Sequence, residues 1–189
     1  MTAQTIVSLV RPWEVPLHVS LARGLRESGP LEGAPIRYLT MWGSAARYLR
    51  PMLGAGEEVV ELLPHIRKAR VDGGTREDLF KLAAELEQHA GVSLTLRLDA
   101  ERFGPNRGVD REVFALQHLS ALSDHIPEGA VILSNAVDHL HNWLACDLAR
   151  QRGGRFFGFS SSGRPSGRTQ VCSTASTLPA GSRNHAMSG

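Results

Sequence analysis

A chain of 189 residues, 42% of them hydrophobic, is long enough to bury one ordinary core, and a formal net charge of only +2 excludes a strongly basic nucleic-acid-binding protein. The basic residues are dispersed, and no apolar run approaches the roughly 20 residues needed to cross a bilayer, so neither a polybasic membrane segment nor a transmembrane helix is expected. The two cysteines, Cys146 and Cys172, have no CxxC spacing, and a reducing cytoplasm is the expected setting.

The start, MTAQTIVSLV, has no basic leader and reads as a first strand, Ile6 to Val10. Pro16 opens a helix whose expected apolar positions are Leu17, Leu21 and Leu25, ended by Ser28-Gly29-Pro30. The loop between this strand and helix carries neither GxGxxG nor GxxxxGK, which disfavours a dinucleotide or P-loop cradle there. Ile36 to Trp42 is a second extended run, and Ser44 is the expected cap of a short helix. Glu58 to Leu63 is a third strand, and Pro64 to Gly74 reads as an exposed, basic connection. Thr75 to Asp78 resembles a capping box for a helix with Leu79, Leu82, Ala83, Leu86 and Ala90 on one face, and Gly91 suits its C′ position. Val92, Leu94, Leu96 and Leu98 alternate with polar residues as a strand would. Asp110 is placed to cap a helix with the seam Val113, Leu116, Leu119, Leu122 and Ile126. His118 and His125 are expected on its surface.

Ala130 to Arg168 then reads as strand, helix, strand and loop. Val131 to Leu133 ends at Ser134-Asn135, an amphipathic helix containing Cys146 follows, and Gly153-Gly154 precedes the run Arg155 to Phe159. Six strands interleaved with about five helices predict a parallel α/β sheet covered on both faces. The expected domain spans residues 1 to 171. Residues 172 to 189, rich in Ser, Thr, Ala and Gly, form an expected disordered tail.

In an open parallel sheet, ligands bind beyond the carboxyl ends of the strands, which selects the candidate site residues. Ser160, Ser161 and Ser162, with Arg164 and Arg168, form a loop whose small residues admit an anion and whose guanidiniums could clamp a phosphate or diphosphate; the other reading is a solvated loop. Asn135, Asp138 and His139 follow the run Val131 to Leu133. On a helix His139 and His141, two residues apart, do not face each other, so no metal is expected, and His139 is a candidate for ligand binding or acid/base work. Arg11, Trp13, Glu14 and His18 follow the first strand, where an aromatic ring, a carboxylate and an arginine suit a sugar; the alternative is a packed tryptophan beside a solvated ion pair. Glu14, His18 and His139 are the candidate catalytic bases. No GxSxG, HExxH or cysteine–histidine signature supports a hydrolase. No cofactor is expected.

The order of strand, polar loop, the helix ending Leu144 to Arg150, glycine, strand and Arg164-Pro-Ser-Gly-Arg168 resembles the N-terminal half of bacterial capsular and surface polysaccharide biosynthesis proteins, over Thr5 to about Val171. The resemblance implies a Rossmann-like, glycosyltransferase-B-like half that binds the acceptor, with Arg164 and Arg168 near the cleft facing a donor half. No second Rossmann-like half follows, so a truncated or frame-shifted chain, catalytically incomplete alone, is expected. Expected partners are a sugar acceptor or nucleotide sugar and no nucleic acid, with peripheral membrane or complex association left open. Two alternatives stand beside this: a flavodoxin-like or nucleotide-sensing module binding a phosphorylated small molecule through Ser160 to Arg168, and an inactive remnant with exposed apolar surface.

Overall fold

The computed structural model describes residues 4–91, 94, 110–135, 139–161 and 169–173, with backbone alone for 160–161 and 169–173. Six strands form one sheet: β1 (Ile6–Leu9), β2 (Ile36–Thr40), β3 (Glu57–Glu61), β4 (Val131–Ser134), β5 (Arg155–Ser161) and β6 (Thr169–Ser173). Their order is β3-β2-β1-β4-β5-β6. The first five are mutually parallel, and β6 pairs antiparallel with β5, from Phe157 opposite Ser173 to Ser161 opposite Thr169. The α/β, Rossmann-like architecture is therefore as expected, but with five parallel strands and one reversed edge strand.

The central strands are apolar runs because both faces are covered. On β1, Ile6 and Val10 pack on one side with Val15, Val19 and Ala22 of α1 (Val15–Arg26) and with Ala45 and Leu49 of α2 (Gly43–Leu49). Val7 and Leu9 pack on the other, with residues of α3 (Leu62–Lys68), α4 (Gly73–Ala90), α5 (Arg111–His125) and α6 (Leu140–Gln151). Two glycines make the last turn of this layer possible for different reasons. Gly153 has φ +68°, a left-handed conformation that costs other residues energy. A Cβ on Gly154 would overlap the Ala130 carbonyl oxygen and lie 3.0 Å from that of Ala149, so only a bare backbone fits where α6 turns into β5.

Several local expectations shift. The buried face of α1 is Val15, His18, Val19 and Ala22, at i, i+3, i+4 and i+7, whereas Leu17 is exposed and Leu21 and Leu25 are half-buried. Small and β-branched residues let the helix lie close to the sheet, leaving the leucines at its flanks. Pro64 to Gly74 is not an exposed connection, since α3 occupies its first part and buries Ile66. Proline is tolerated there because it falls in the first turn. The following helix starts at Gly73 with Asp72 as its N-cap residue, ahead of the expected capping box, and Trp42 rather than Ser44 precedes α2.

Other details stand as read. Asp110 caps α5 by accepting from the backbone N–H groups of Glu112 and Val113. Gly91 ends α4 in the left-handed conformation, and Cys146 is a buried free thiol. Of the strand expected over Val92 to Leu98 only Leu94 is described, and it is helical. β6 runs to Ser173, and residues 174 to 189 of the expected tail lie outside the described residues.

Candidate functional site

The sheet order reverses between β1 and β4: successive strands run outward to β2 and β3 on one side and to β5 on the other. At such a point the connections leave the carboxyl edge in opposite directions and open a crevice. The segments bordering it here are Arg11 to Glu14, after β1, and Asn135, after β4.

A polar chain built from both strands lies at that edge. Ser8 faces the α1 side of β1, in the middle of an otherwise apolar strand, and its Oγ is 2.6 Å from Nδ1 of His18. Both residues are fully enclosed. Nε2 of His18 lies 3.7 Å from Oε2 of Glu14, one helical turn earlier, and Oε1 of Glu14 accepts a hydrogen bond from the Asn135 side-chain amide. An ionised carboxylate can only accept, so an imidazole that turns a hydrogen toward it carries that hydrogen on Nε2, and Ser8 then donates to Nδ1. The Phe159 ring packs 5.0 Å from the His18 ring and closes the network from β5. At the carboxyl end of β4, Ser134 is enclosed and its Oγ accepts from the Asn142 amide at 2.5 Å, which ties α6 to the strand end and fixes where Asn135 emerges.

Beside this network runs an aromatic row. Trp13 is 70% exposed, so it is not a packed core tryptophan. Its ring lies 6.2 Å from that of Trp42, Trp42 meets His141 edge-on at 6.4 Å, and His141 stacks on His139 at 5.4 Å with only 8° between the ring planes. The expectation that the two histidines cannot face each other is thus overturned. His139 is the N-cap of α6, with φ −126° and ψ 152°, so it is outside the helix and its ring folds back over that of His141. The lone pairs of an imidazole lie in the ring plane, and parallel stacked rings point theirs side by side rather than at a common point. Among the described residues no group of three or more His, Cys, Asp or Glu could hold a metal ion.

Below the row opens a cavity of about 340 Å³, lined by Met41, Trp42, Leu63, Phe114, His118, His139, Leu140 and His141. His118 is buried, against expectation. Its Nδ1 donates to the Phe114 carbonyl at 2.8 Å, one turn back, and its ring packs on that of Phe114 at 4.3 Å, so a polar residue is satisfied inside the helix's own surface. His141 keeps a part-exposed edge, yet burial, followed by the nearby His139, His118 and Arg11, pushes its imidazole down to about 3.

The structure therefore brings together Arg11, Trp13, Glu14, His18, Asn135 and His139 from the sequence candidates. Glu14 keeps 17% of its side chain exposed, His18 none, and His139 lines the cavity. Asp138, Ser162, Arg164 and Arg168 lie outside the described residues, and only the backbone of Ser160 and Ser161, in β5, is described. Comparison with protein-family models, curated proteins and solved structures finds no match. Among the described residues no helix is long and apolar enough to cross a membrane.

Ser8, Trp42 and His118 were not selected from sequence. Ser8 carried a readable signal, a lone polar residue in a strand buried on both faces. Trp42 lies just past β2, at the same edge that singled out Trp13.

Proposed function

We propose that this chain is the acceptor-side, sugar-binding domain of a glycosyltransferase-like protein, of the kind that builds surface polysaccharide. The observation that carries the reading is Glu14, oriented by Asn135 on one oxygen and facing His18 with the other, beside the exposed ring of Trp13. A sugar presents an apolar C–H face and a rim of hydroxyls, which an exposed indole and a fixed carboxylate and amide complement. Trp13 stacks on the ring, and Glu14 and Asn135 engage its hydroxyls.

In glycosyl transfer Glu14 is then the base. It takes the proton of the acceptor hydroxyl as that oxygen bonds to the anomeric carbon of the donor, whose bond to the diphosphate breaks with the electron pair leaving on phosphate. His18, wholly enclosed, cannot touch substrate and is a positioning residue that holds the carboxylate. His139 faces the aromatic cavity and is the weaker candidate for the base.

The test is titration of the chain with mono- and oligosaccharides, followed by NMR. Saturable binding is expected, centred on the Trp13 indole, and Trp13→Ala should weaken it about tenfold, the equivalent of about 1.4 kcal/mol. Absence of sugar binding, or equal binding by a folded Trp13→Ala variant, would overturn the reading.

A further inference from the structure

We propose that the cavity walled by Met41, Leu63, Phe114 and Leu140, with Trp42 and His141 at its edge, is a binding site for an uncharged planar aromatic or heteroaromatic ring. Its volume of about 340 Å³ is in the range of small-ligand sites, which begin near 300 Å³, and four apolar side chains give an occupant area to bury. The shape is set by flat groups: the near-parallel His139 and His141 rings, the Trp42 ring against them, and the Phe114 ring. Such walls favour a flat occupant over a branched aliphatic one, through stacking and edge-to-face contact.

Charge narrows the class further. Burial disfavours the charged form of His141 at the cavity edge, and most of the other lining groups are apolar. A lining whose described residues include no lysine or arginine is a poor partner for a phosphate or carboxylate, whereas a neutral ring gains burial and stacking there. Two sources share this chemistry, a nucleobase and an aromatic group carried by a glycoside. Trp42 touches both Trp13 and His141, so the ring site adjoins the sugar site and one molecule could occupy both. The proposal places no demand on Glu14 and stands apart from the sugar reading.

NMR titration of the isotopically labelled full chain with 4-methylumbelliferone, indole, uridine and adenosine tests it. Saturable binding is expected, with intermolecular NOEs from ring protons to the methyl groups of Met41, Leu63 and Leu140. Leu63→Trp, which fills the cavity without touching Glu14, should lower ring affinity at least tenfold and leave Trp13-dependent sugar binding unchanged. Tighter binding of the nucleosides would identify a nucleobase as the occupant, and tighter binding of the umbelliferone an aromatic glycoside. Ring binding without sugar binding supports the cavity and sinks only the sugar reading. No NOE to these methyls from any compound at millimolar concentration, or full ring binding by a folded Leu63→Trp variant, would overturn the proposal, and the NOE measurement needs no variant.

Discussion

At the amino edge of the sheet, Glu57 is fully enclosed and its oxygens meet four donors. Arg23 reaches both of them, at 2.8 and 2.6 Å, Arg26 approaches one at 3.0 Å, and the backbone N–H of Gly54 donates to the other at 2.9 Å. At the carboxyl edge Glu14 is also mostly enclosed, but only one oxygen is hydrogen-bonded, and the second stands 3.7 Å from an imidazole nitrogen that is likewise without a hydrogen-bond partner. Both edges use carboxylates beside cationic or titratable groups. The first arrangement is saturated and joins α1 to β3; the second leaves an enclosed carboxylate oxygen and an enclosed imidazole nitrogen without hydrogen bonds.

The largest expected effect comes from breaking the saturated edge. Glu57→Ala leaves Arg23 and Arg26 facing each other without their carboxylate, and since their side chains keep 32% and 22% exposure, water recovers part of the loss. A destabilisation of about 2–3 kcal/mol is expected, below the full cost of a deeply buried orphaned charge. Urea denaturation measures it. Ring and sugar affinities of the folded fraction should not change; if they do, the two edges are coupled and the contrast between them fails.

Acid separates Glu57 from the buried histidines next. Burial, and the His65 ring 4.5 Å away, lower the pKa of His125, and burial lowers that of His141 to about 3, both from an ordinary value of 6.5. A histidine with a depressed folded pKa binds fewer protons in the native state than in the unfolded one, so its contribution is whole above 6.5 and is lost as pH falls below that value. The Arg23 hydrogen bond holds the Glu57 carboxyl below its ordinary 4.5, so that contribution is whole above 4.5 and is lost as pH falls from there through the depressed value. Stability should thus decline below 6.5 through the histidines alone, and more steeply below 4.5, where Glu57 adds its loss. His141→Phe should flatten the decline between 6.5 and 4.5 while the Glu57 loss below 4.5 remains, as followed by thermal unfolding against pH; an unchanged decline between 6.5 and 4.5 would show that His141 is not buried in its neutral form.

The layer architecture was legible because the strands are short apolar runs separated by helices with caps and glycines at their ends. The carboxyl-edge rule selected Trp13, Glu14, His18 and Asn135 without any fold-specific motif, and the structure brings them to one edge. What escaped was face and depth. Leu17, Leu21 and Leu25 formed as good a stripe as Val15, His18, Val19 and Ala22, and only the close approach to the sheet selects between them. His118 looked like a surface residue because its satisfaction by the Phe114 carbonyl is local to the helix and leaves no mark in the pattern of residue types. The stacking of His139 on His141 depended on where the helix begins, and helix ends are the least determined part of any periodicity.

The smallest effect sharpens the comparison most. Ser8→Ala removes one hydroxyl from the centre of the sheet and leaves Nδ1 of His18 enclosed without its donor, at an expected cost of about 1–2 kcal/mol. Where Ser8 donates to Nδ1, a neutral ring carries its hydrogen on Nε2, toward Glu14; without Ser8, Nδ1 no longer favours that tautomer. The nitrogen chemical shifts of His18 report the change directly, moving from a single tautomer toward a mixture. If the carboxyl edge is a prepared site, loss of the tautomer should also loosen Glu14 and weaken sugar binding several-fold while ring binding in the neighbouring cavity stays constant. A Ser8→Ala protein that loses stability but keeps both the tautomer and the sugar affinity would reduce Ser8 and His18 to packing, and would make the carboxyl edge as purely structural as the cluster around Glu57.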